Sequence, residues 1–207
     1  MYLDYAEPTA NILNYTSPGY KAFPVEYDLQ EAKRLAHEVL GNKRCEITYC
    51  INGNEPLQKG EAELIAYWLQ DIGLDVKIQA IEYATLSKMM RKGDFNIVRI
   101  QKGLANGDPF SALYTFIMPD GALNVSNSSG YNNPEVTELM NKVKHITDEA
   151  ERQRVFDRVQ EIVVYEQPVI PLFNDMNIVA YNKRLKNYKP LIYGVDLSKV
   201  ELAEEYD

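Results

Sequence analysis

Two pairs of closely spaced carboxylates are the first candidates for acid–base chemistry in this sequence. Glu61 and Glu63 lie two residues apart, and Glu149 and Glu151 repeat that spacing. Each pair lies in a segment with an apolar stripe of helical period, where Asp and Glu usually face solvent. We therefore predict that both pairs lie on solvated helix faces and carry no catalysis.

Motifs that position a nucleophile or a phosphate are absent from the sequence. It contains no GxSxG segment, which would place a serine on a sharp strand-to-helix turn. It also contains no GxxxxGK[ST] segment, which would cradle a nucleotide phosphate. The sequence therefore indicates a protein that is not an enzyme and that uses no cofactor.

Cysteine and histidine are too few and too far apart for a predicted metal site. Cys45 and Cys50 lie five residues apart in a strand-like segment, so they point to opposite faces, roughly 17 Å apart at ~3.3 Å per residue. A disulfide needs Cα atoms within about 7 Å, so we predict two unpaired cysteines. His37 and His145 are distant in sequence, and no zinc site is expected.

The composition is typical of an ordinary globular protein, and the length allows one large or two small domains. The 207 residues are 45% hydrophobic and 25% charged, with a formal net charge of −8. That charge makes nucleic acid and anionic membranes poor partners. The first fifteen residues have neither a basic flank nor an apolar run, so we do not interpret them as a signal peptide, although a trimmed chain would look the same.

Between residues 28 and 100, strands alternate with helices. Asp28 is a good N-cap with Glu31 in a capping box, and Gly41 is a natural stop. A second helix is predicted from Pro56, with Leu64, Ile65, Trp68, Leu69 and Ile72 along its apolar side. Strands are predicted at residues 45–51, 76–80 and 95–100, and a short helix at 85–91. This alternation predicts βαβ units and a mainly parallel sheet.

Helices dominate the prediction after residue 101. Residues 101–116 are predicted as a loop followed by a helix, and residues 117–133 as a further loop. Asn133 and Thr147 are predicted to cap two long amphipathic helices. Two strands are predicted at residues 169–173 and 178–181.

Four segments, taken in order, match the pattern of one known family. They are YDLQEAKRLAHEVL, GEAELIAYWLQDIGLDVKIQAIEYATLSKMMRKGDFNIV, NGDPFSALYTF and NSSGYNNPEVTELMNKVKHITDEAERQRVFDRVQEIVVYEQPVIPLF. Their order and spacing resemble the C-terminal lobe of the oligopeptide- and dipeptide-binding proteins, which are ABC-transporter solute-binding proteins of family 5. The resemblance covers about residues 20–180.

This resemblance implies a fold and a domain organisation. The expected fold is α/β, a single lobe of the periplasmic-binding-protein-like type II (cluster C) fold, with a mixed sheet flanked by helices. Residues 1–27 would be an irregular lead-in from a missing N-terminal lobe. Residues 28–182 would form the ligand-binding C-terminal lobe, and residues 183–207 a tail returning toward the missing lobe. The chain would then be an isolated lobe, either a designed fragment or a natural truncation.

The resemblance also implies a function. Such proteins capture peptides or related small solutes by closing two lobes and deliver them to a membrane ABC permease. They work in the periplasm or at the cell surface, where a lipid can anchor them. Two alternatives stay open: a stand-alone cytosolic α/β enzyme or adaptor using carboxylates such as Asp108 and Asp120, and a ligand-gated sensor or pheromone receptor on the same fold.

Two loops are candidate ligand sites. Ligands of open α/β sheets bind beyond the carboxyl ends of the strands, which points to the loop after the 95–100 strand. Its candidate residues are Gln101, Lys102, Gly103, Leu104, Ala105, Asn106 and Asp108. The second loop resembles a family loop near the cleft, and its candidates are Asn127, Ser128, Ser129 and Tyr131.

The family pattern also bears on the ligand. Members that bind a free amino terminus carry an acidic residue four positions before the proline of the DP turn. Pro109 is that proline here, and Ala105 occupies the acidic position. Asp108 is the nearest carboxylate and would have to take its place. A charge-assisted hydrogen bond contributes roughly 1.5–3 kcal/mol, so its loss favours a blocked peptide, a sugar or a metal chelate.

Overall fold

A computed structural model of the chain describes residues 5–103, 108–176, 178–191 and 196–203. In chain order its elements are β1 (Ala6–Pro8), α1 (Leu29–Leu40), β2 (Cys45–Asn52), α2 (Pro56–Gln70), β3 (Leu74–Ile81), α3 (Tyr83–Lys92), β4 (Ile97–Val98), α4 (Pro109–Ile117), α5 (Ala122–Ser126), α6 (Pro134–Val143), α7 (Glu149–Glu166), β5 (Phe173–Asp175), β6 (Leu185–Lys186) and β7 (Glu201–Leu202). Contacts divide the chain into a first unit, residues 9–172, and a second unit, residues 2–8 and 173–207.

The first unit contains a three-stranded parallel sheet in the order β3-β2-β4. Strands β2 and β3 pair over their full length, from Cys45 opposite Leu74 to Asn52 opposite Ile81. The predicted parallel sheet is confirmed. Strand β4 is shorter than predicted because the Asn96 side chain, rather than a backbone carbonyl, accepts the Thr48 N–H at 2.8 Å.

Both faces of the sheet are covered by helices. Tyr49 and Ile51 pack against Ala62 of α2, whereas Cys50 packs with Leu86 and Met90 of α3 on the other face. This alternation follows from the two-residue period of a strand. Cys45 and Cys50 are both unpaired, as predicted.

The predicted apolar side of α2 is only in part its buried side, although Ile65 packs against the sheet core. Helix α1 has no buried residue. In α2 the buried residues are Gln58, Glu61, Ala62 and Ala66, while Leu64 is 45% and Trp68 52% exposed. Small alanines allow a helix backbone to approach a sheet closely, and this contact outweighs the larger apolar residues that the periodicity favoured.

A second core joins α4, α6 and α7. The predicted apolar stripes are buried here, including Val136, Met140, Phe156 and Val159. Asn133 caps α6 as predicted, but the residue that caps α7 is Asp148, whose side chain accepts the Glu151 N–H. The prediction of Thr147 is therefore wrong by one residue, and α5 forms inside the segment that was predicted as loop.

Residues 9–27 belong to the first unit. Leu13 is fully buried in the helical core. Gln160 of α7 is fully buried and accepts from Asn11 Nδ2 at 2.7 Å and from the Lys21 N–H at 3.0 Å. Its Nε2 donates to the Gly19 carbonyl at 2.9 Å. One side chain thus binds the irregular segment to α7, and the first unit begins earlier than residue 28.

The second unit consists of two short antiparallel strand pairs. Strand β1 pairs with β5, with Ala6 opposite Asp175, and β6 pairs with β7, with Leu185 opposite Leu202. The strand predicted at residues 178–181 does not form, and of the 169–173 strand only Phe173 is extended. Among the helices of the described ranges, none has the length and apolar character needed to cross a bilayer.

Replacing Gln160 tests whether this one side chain attaches residues 9–27. We expect Gln160→Met to lower the free energy of unfolding by about 2–4 kcal/mol, because buried donors and acceptors lose their partner. Gln30→Met, at an exposed position of α1, is the matched control and should change stability by less than about 0.5 kcal/mol. Urea unfolding measures both, and equal effects would contradict this role.

Candidate functional site

The carboxyl ends of the three parallel strands meet at one edge of the sheet. Strand β2 ends at Asn52, β3 at Ile81, and β4 continues into Arg99. The Gly53 N–H donates to the Ile81 carbonyl at 2.8 Å, and a Cβ at Gly53 would lie only 3.3 Å from the Ala80 backbone. The loops after β2 and β3 are therefore held side by side at the edge where α/β sheets bind ligands.

A buried ion pair fixes the chain that leaves β4 at this edge. Arg99 Nε lies 2.7 Å from Glu61 Oε2, and the two side chains are 11% and 6% exposed. A second guanidinium nitrogen of Arg99 donates to the Ile100 carbonyl. The pair joins α2 to the start of the 101–106 loop.

Helix α2 supplies a second buried polar contact nearby. Gln58 is 8% exposed, and its Oε1 accepts the Asn52 N–H at 3.1 Å. Together, Gln58 and Glu61 connect one helix face to the ends of β2 and β4.

The prediction that Glu61 faces solvent is wrong, because the sheet places Arg99 opposite it. Glu63 and Glu149 are exposed as predicted, and Glu151 is half-buried. No local signal distinguishes Glu61 from Glu63, since the partner of Glu61 lies 38 residues away in sequence.

The first predicted ligand loop is described only in part. Gln101, Lys102 and Gly103 are exposed directly after β4. The other predicted residues, Leu104, Ala105 and Asn106, lie outside the described residues.

Asp108 has a structural role at the start of α4. Its carboxylate accepts the Phe110 N–H at 3.3 Å and the Ser111 N–H at 3.0 Å, and it lies 3.8 Å from Arg152 Nη2. These contacts assign the carboxylate a capping role, and 45% of the side chain remains exposed. Asp120, the other carboxylate considered for an enzyme, accepts the Tyr114 hydroxyl at 2.8 Å.

The second predicted ligand loop is organised by a buried asparagine that the sequence analysis missed. Asn124 is 4% exposed, and its Nδ2 donates to the carbonyls of Met118 and Tyr131 at 2.9 and 2.8 Å. Its Oδ1 accepts the Ser129 hydroxyl at 2.6 Å. Asn127 is buried, whereas Ser128 is exposed with φ of 50°. An asparagine inside a predicted loop gave no sign that it would be buried.

The Tyr131 hydroxyl forms a hydrogen bond with the Glu166 side chain. It donates to Glu166 Oε2 at 2.5 Å, and Asn133 Nδ2 donates to both oxygens of the same carboxylate at 2.9 and 3.0 Å. Burial and the Glu166 carboxylate raise the pKa of Tyr131 well above its usual range. The hydrogen bonds from Tyr131 and Asn133 lower the pKa of Glu166.

Ser128 of the second predicted loop lies beside Gly93, before β4, whereas the first predicted loop follows β4. Ser128 Cβ is 3.6 Å from the Cβ position of Gly93, and Gly93 precedes β4. Gln101, Lys102 and Gly103 follow β4. Together with the loops after β2 and β3, they are the described residues of the candidate ligand edge. No metal-binding group of three His, Cys, Asp or Glu side chains occurs among the described residues.

Substitution of Glu61 tests the ion pair. We expect Glu61→Ala to lower the free energy of unfolding by about 3–5 kcal/mol, because it leaves Arg99 buried without a counter-charge. Glu63→Ala, two residues away and exposed, should cost less than about 0.5 kcal/mol. Combining Glu61→Leu with Arg99→Met should recover most of the loss. Urea unfolding measures all three, and a Glu61→Ala loss no larger than that of Glu63→Ala would disprove the assignment.

Substitution of Tyr131 tests the Glu166 contact through pH. We expect Tyr131→Phe to raise the pKa of Glu166 toward its ordinary value, because the carboxylate loses a donor. A carboxyl group whose pKa is lowered by folding stabilises the fold above its unfolded pKa, and this contribution disappears as the pH falls through the folded pKa. The stability difference between wild type and variant should therefore narrow in acid.

Carbon-detected NMR titration of the Glu166 carboxyl measures the pKa directly. Tyr165→Phe is the control, because Tyr165 is 89% exposed. An unchanged Glu166 pKa in Tyr131→Phe would rule out the assigned cause.

The chain is similar in sequence to known transport proteins. Residues 1–124 match the sequence model of bacterial extracellular solute-binding proteins, family 5 middle region. The chain is 26% identical over 171 residues to the probable D,D-dipeptide-binding periplasmic protein DdpA of Escherichia coli K12. The match covers 82% of this chain and 33% of DdpA, so the chain spans about a third of that relative's length.

Solved structures have the same fold. The periplasmic binding protein DppA of Helicobacter pylori, in complex with the peptide STSA, matches with 28% identity and a TM-score of 0.82, covering 97% of this chain and 40% of that one. NikA of Staphylococcus aureus, in complex with Ni(L-His)2, matches in fold with 21% identity and a TM-score of 0.80, covering 97% of this chain and 44% of that one.

These matches confirm the predicted periplasmic-binding-protein-like α/β fold. Similarity of both sequence and fold over this length leaves one family assignment: the chain belongs to the bacterial extracellular solute-binding proteins of family 5.

Proposed function

We propose that this chain is part of an ABC-transporter substrate-binding protein that captures a peptide or a related small solute by two-lobe closure and delivers it to a membrane permease. Family membership supports this proposal, as do relatives such as DdpA, which are named as periplasmic peptide-binding proteins. We place the complete protein in the periplasm or at the cell surface, held there by a lipid anchor.

The observation that carries the proposal is that the second unit has no core of its own. None of its described residues is buried. Eight of its large apolar side chains are exposed: Tyr5, Met176, Ile178, Val179, Tyr181, Leu191, Leu197 and Leu202. A stable unit must bury apolar surface to offset the entropy of ordering its chain. This composition supports a missing N-terminal lobe that covers these side chains.

The pairing of β1 with β5 supports a hinge. Strand β1 enters the first unit at Thr9, and β5 begins just after Leu172, where the chain leaves it. Two antiparallel chain passages side by side form the kind of connection on which hinged domains close. We accordingly propose residues 9–172 as the ligand-binding lobe, in place of the 28–182 boundaries expected from sequence, and residues 183–207 as part of the other lobe.

For the ligand, we propose a solute that does not require an acidic anchor for a free ammonium group. Ala105 occupies the position of that anchor in the resemblance, and the Asp108 carboxylate already caps α4. Blocked peptides and metal chelates meet this requirement. The complex of NikA with Ni(L-His)2 indicates that the fold accommodates a chelate in another protein.

Calorimetry on the complete protein tests the function. We expect the complete protein to bind a pool of N-acetylated tripeptides more tightly than the same pool with free amino termini. We expect this chain alone to bind either pool weakly or not at all, because half of the enclosing surface is absent. Ala105→Asp in the complete protein should strengthen binding of the free-amine pool by about 10–100-fold, the equivalent of one charge-assisted bond.

The outcomes separate the two parts of the proposal. Sub-micromolar binding by this chain alone would contradict two-lobe capture. Preference of the wild-type protein for free amino termini would contradict the ligand class but leave the transport function standing. Turnover of a bound peptide would contradict the binding function itself.

A further inference from the structure

Glu166, the last residue of α7, accepts hydrogen bonds from two side chains of a neighbouring segment. Its carboxylate accepts the Tyr131 hydroxyl at 2.5 Å and both contacts of Asn133 Nδ2 at 2.9 and 3.0 Å. Hydrogen bonds to an ionised acceptor are shorter and about twice as strong as neutral ones. We call this three-residue cluster the Glu166 clamp.

Both donors of the clamp are attached to further elements. Asn133 Oδ1 accepts the Val136 N–H at 3.1 Å and so caps α6. The Tyr131 carbonyl accepts from Asn124 of α5 at 2.8 Å. The clamp therefore connects the 127–133 loop, the start of α6 and the end of α7 through named hydrogen bonds.

Glu166 lies where helix α7 ends and the chain turns toward β5. It is the last residue of α7, and the next residue, Gln167, adopts a left-handed conformation with φ of 47°. Non-glycine residues rarely adopt this conformation, so its surroundings must hold it. Six residues later the chain enters β5.

Apolar packing holds only part of this exit, since Val163 is buried and Val169 packs against the helical core. Tyr165 is 89% and Ile170 69% exposed. The Gln167 N–H donates to the Val163 carbonyl at 2.9 Å, and its Nε2 donates to the Val164 carbonyl at 2.7 Å. Polar contacts add to this packing at the last turn of α7, and the Glu166 clamp connects that turn to the 127–133 loop.

We propose that Glu166 is a positioning residue that couples the 127–133 loop to the point where the chain leaves the first unit. The clamp fixes the start of segment 167–172, through which the chain leaves the first unit. In the proposed function this fixed start lies next to the hinge, and the link to the hinge rests on two-lobe closure. Neither Tyr131 nor Glu166 contacts ligand in this role, which replaces the ligand-binding role predicted for Tyr131.

Hydrogen exchange on the complete protein, without ligand, tests the coupling. The variant is Tyr131→Phe, which alters only the loop side of the clamp. We expect the Gln167 amide, on the exit side, to exchange at least about 10-fold faster, while the core amide of Val159 is unchanged. Glu166→Ala should speed exchange at both Gln167 and Ser129, whose N–H donates to Asn124. Glu166→Gln should restore part of the protection, because its amide oxygen still accepts one donor.

Glu138→Ala is the matched control, since Glu138 is exposed on α6, and it should leave all three amides unchanged. Gln167 exchange in Tyr131→Phe within 2-fold of wild type would overturn the coupling. Equal acceleration of Gln167, Ser129 and Val159 would also overturn it, because this pattern indicates global destabilisation. No ligand is used, so the result does not depend on whether the protein binds peptides.

Discussion

The ion pair between Glu61 and Arg99 is the constraint on which the candidate ligand edge depends. The two groups lie 2.7 Å apart and are almost fully removed from solvent. Such a pair is costly to bury, and it is retained only where its geometry and additional hydrogen bonds compensate for lost hydration. Arg99 meets this condition through its bond to the Ile100 carbonyl. The exit of β4 is consequently defined by polar geometry instead of by a long strand ladder.

Polar side chains also hold three irregular segments of the first unit. Gln160 holds residues 9–21 against α7, Asn124 shapes the 127–131 loop, and Glu166 receives that loop at the end of α7. Each is a polar side chain with two or more partners. Gln160 and Asn124 are buried, and satisfied buried polar groups impose a single arrangement that apolar contacts alone do not impose.

The two units differ in how much apolar surface they bury. The first has a helical core and a sheet covered on both faces. The second pairs short strands but buries none of its described residues. This difference matches a chain that spans about a third of its curated relatives. In the proposed function, capture requires two lobes and is therefore a property of the complete protein.

Much of the fold could be predicted from local pattern. The parallel βαβ arrangement, the Asp28 and Asn133 caps and the buried stripe of α7 all follow from periodicity and capping chemistry, which act within a few residues. Three of the errors share one physical origin. The buried face of α2, the pairing of Glu61 with Arg99 and the burial of Asn124 each depend on a partner brought near only by packing.

In the candidate site, too, some features follow from residue order and others depend on tertiary contacts. The sequence by itself determined the family resemblance, the loop after β4 and the absence of a carboxylate at Ala105, because these are properties of residue order. Only the tertiary structure decided that Tyr131 binds Glu166 and that Ser128 lies beside Gly93. Those outcomes depend on distances between residues far apart in sequence, and such distances exist only once the chain has folded.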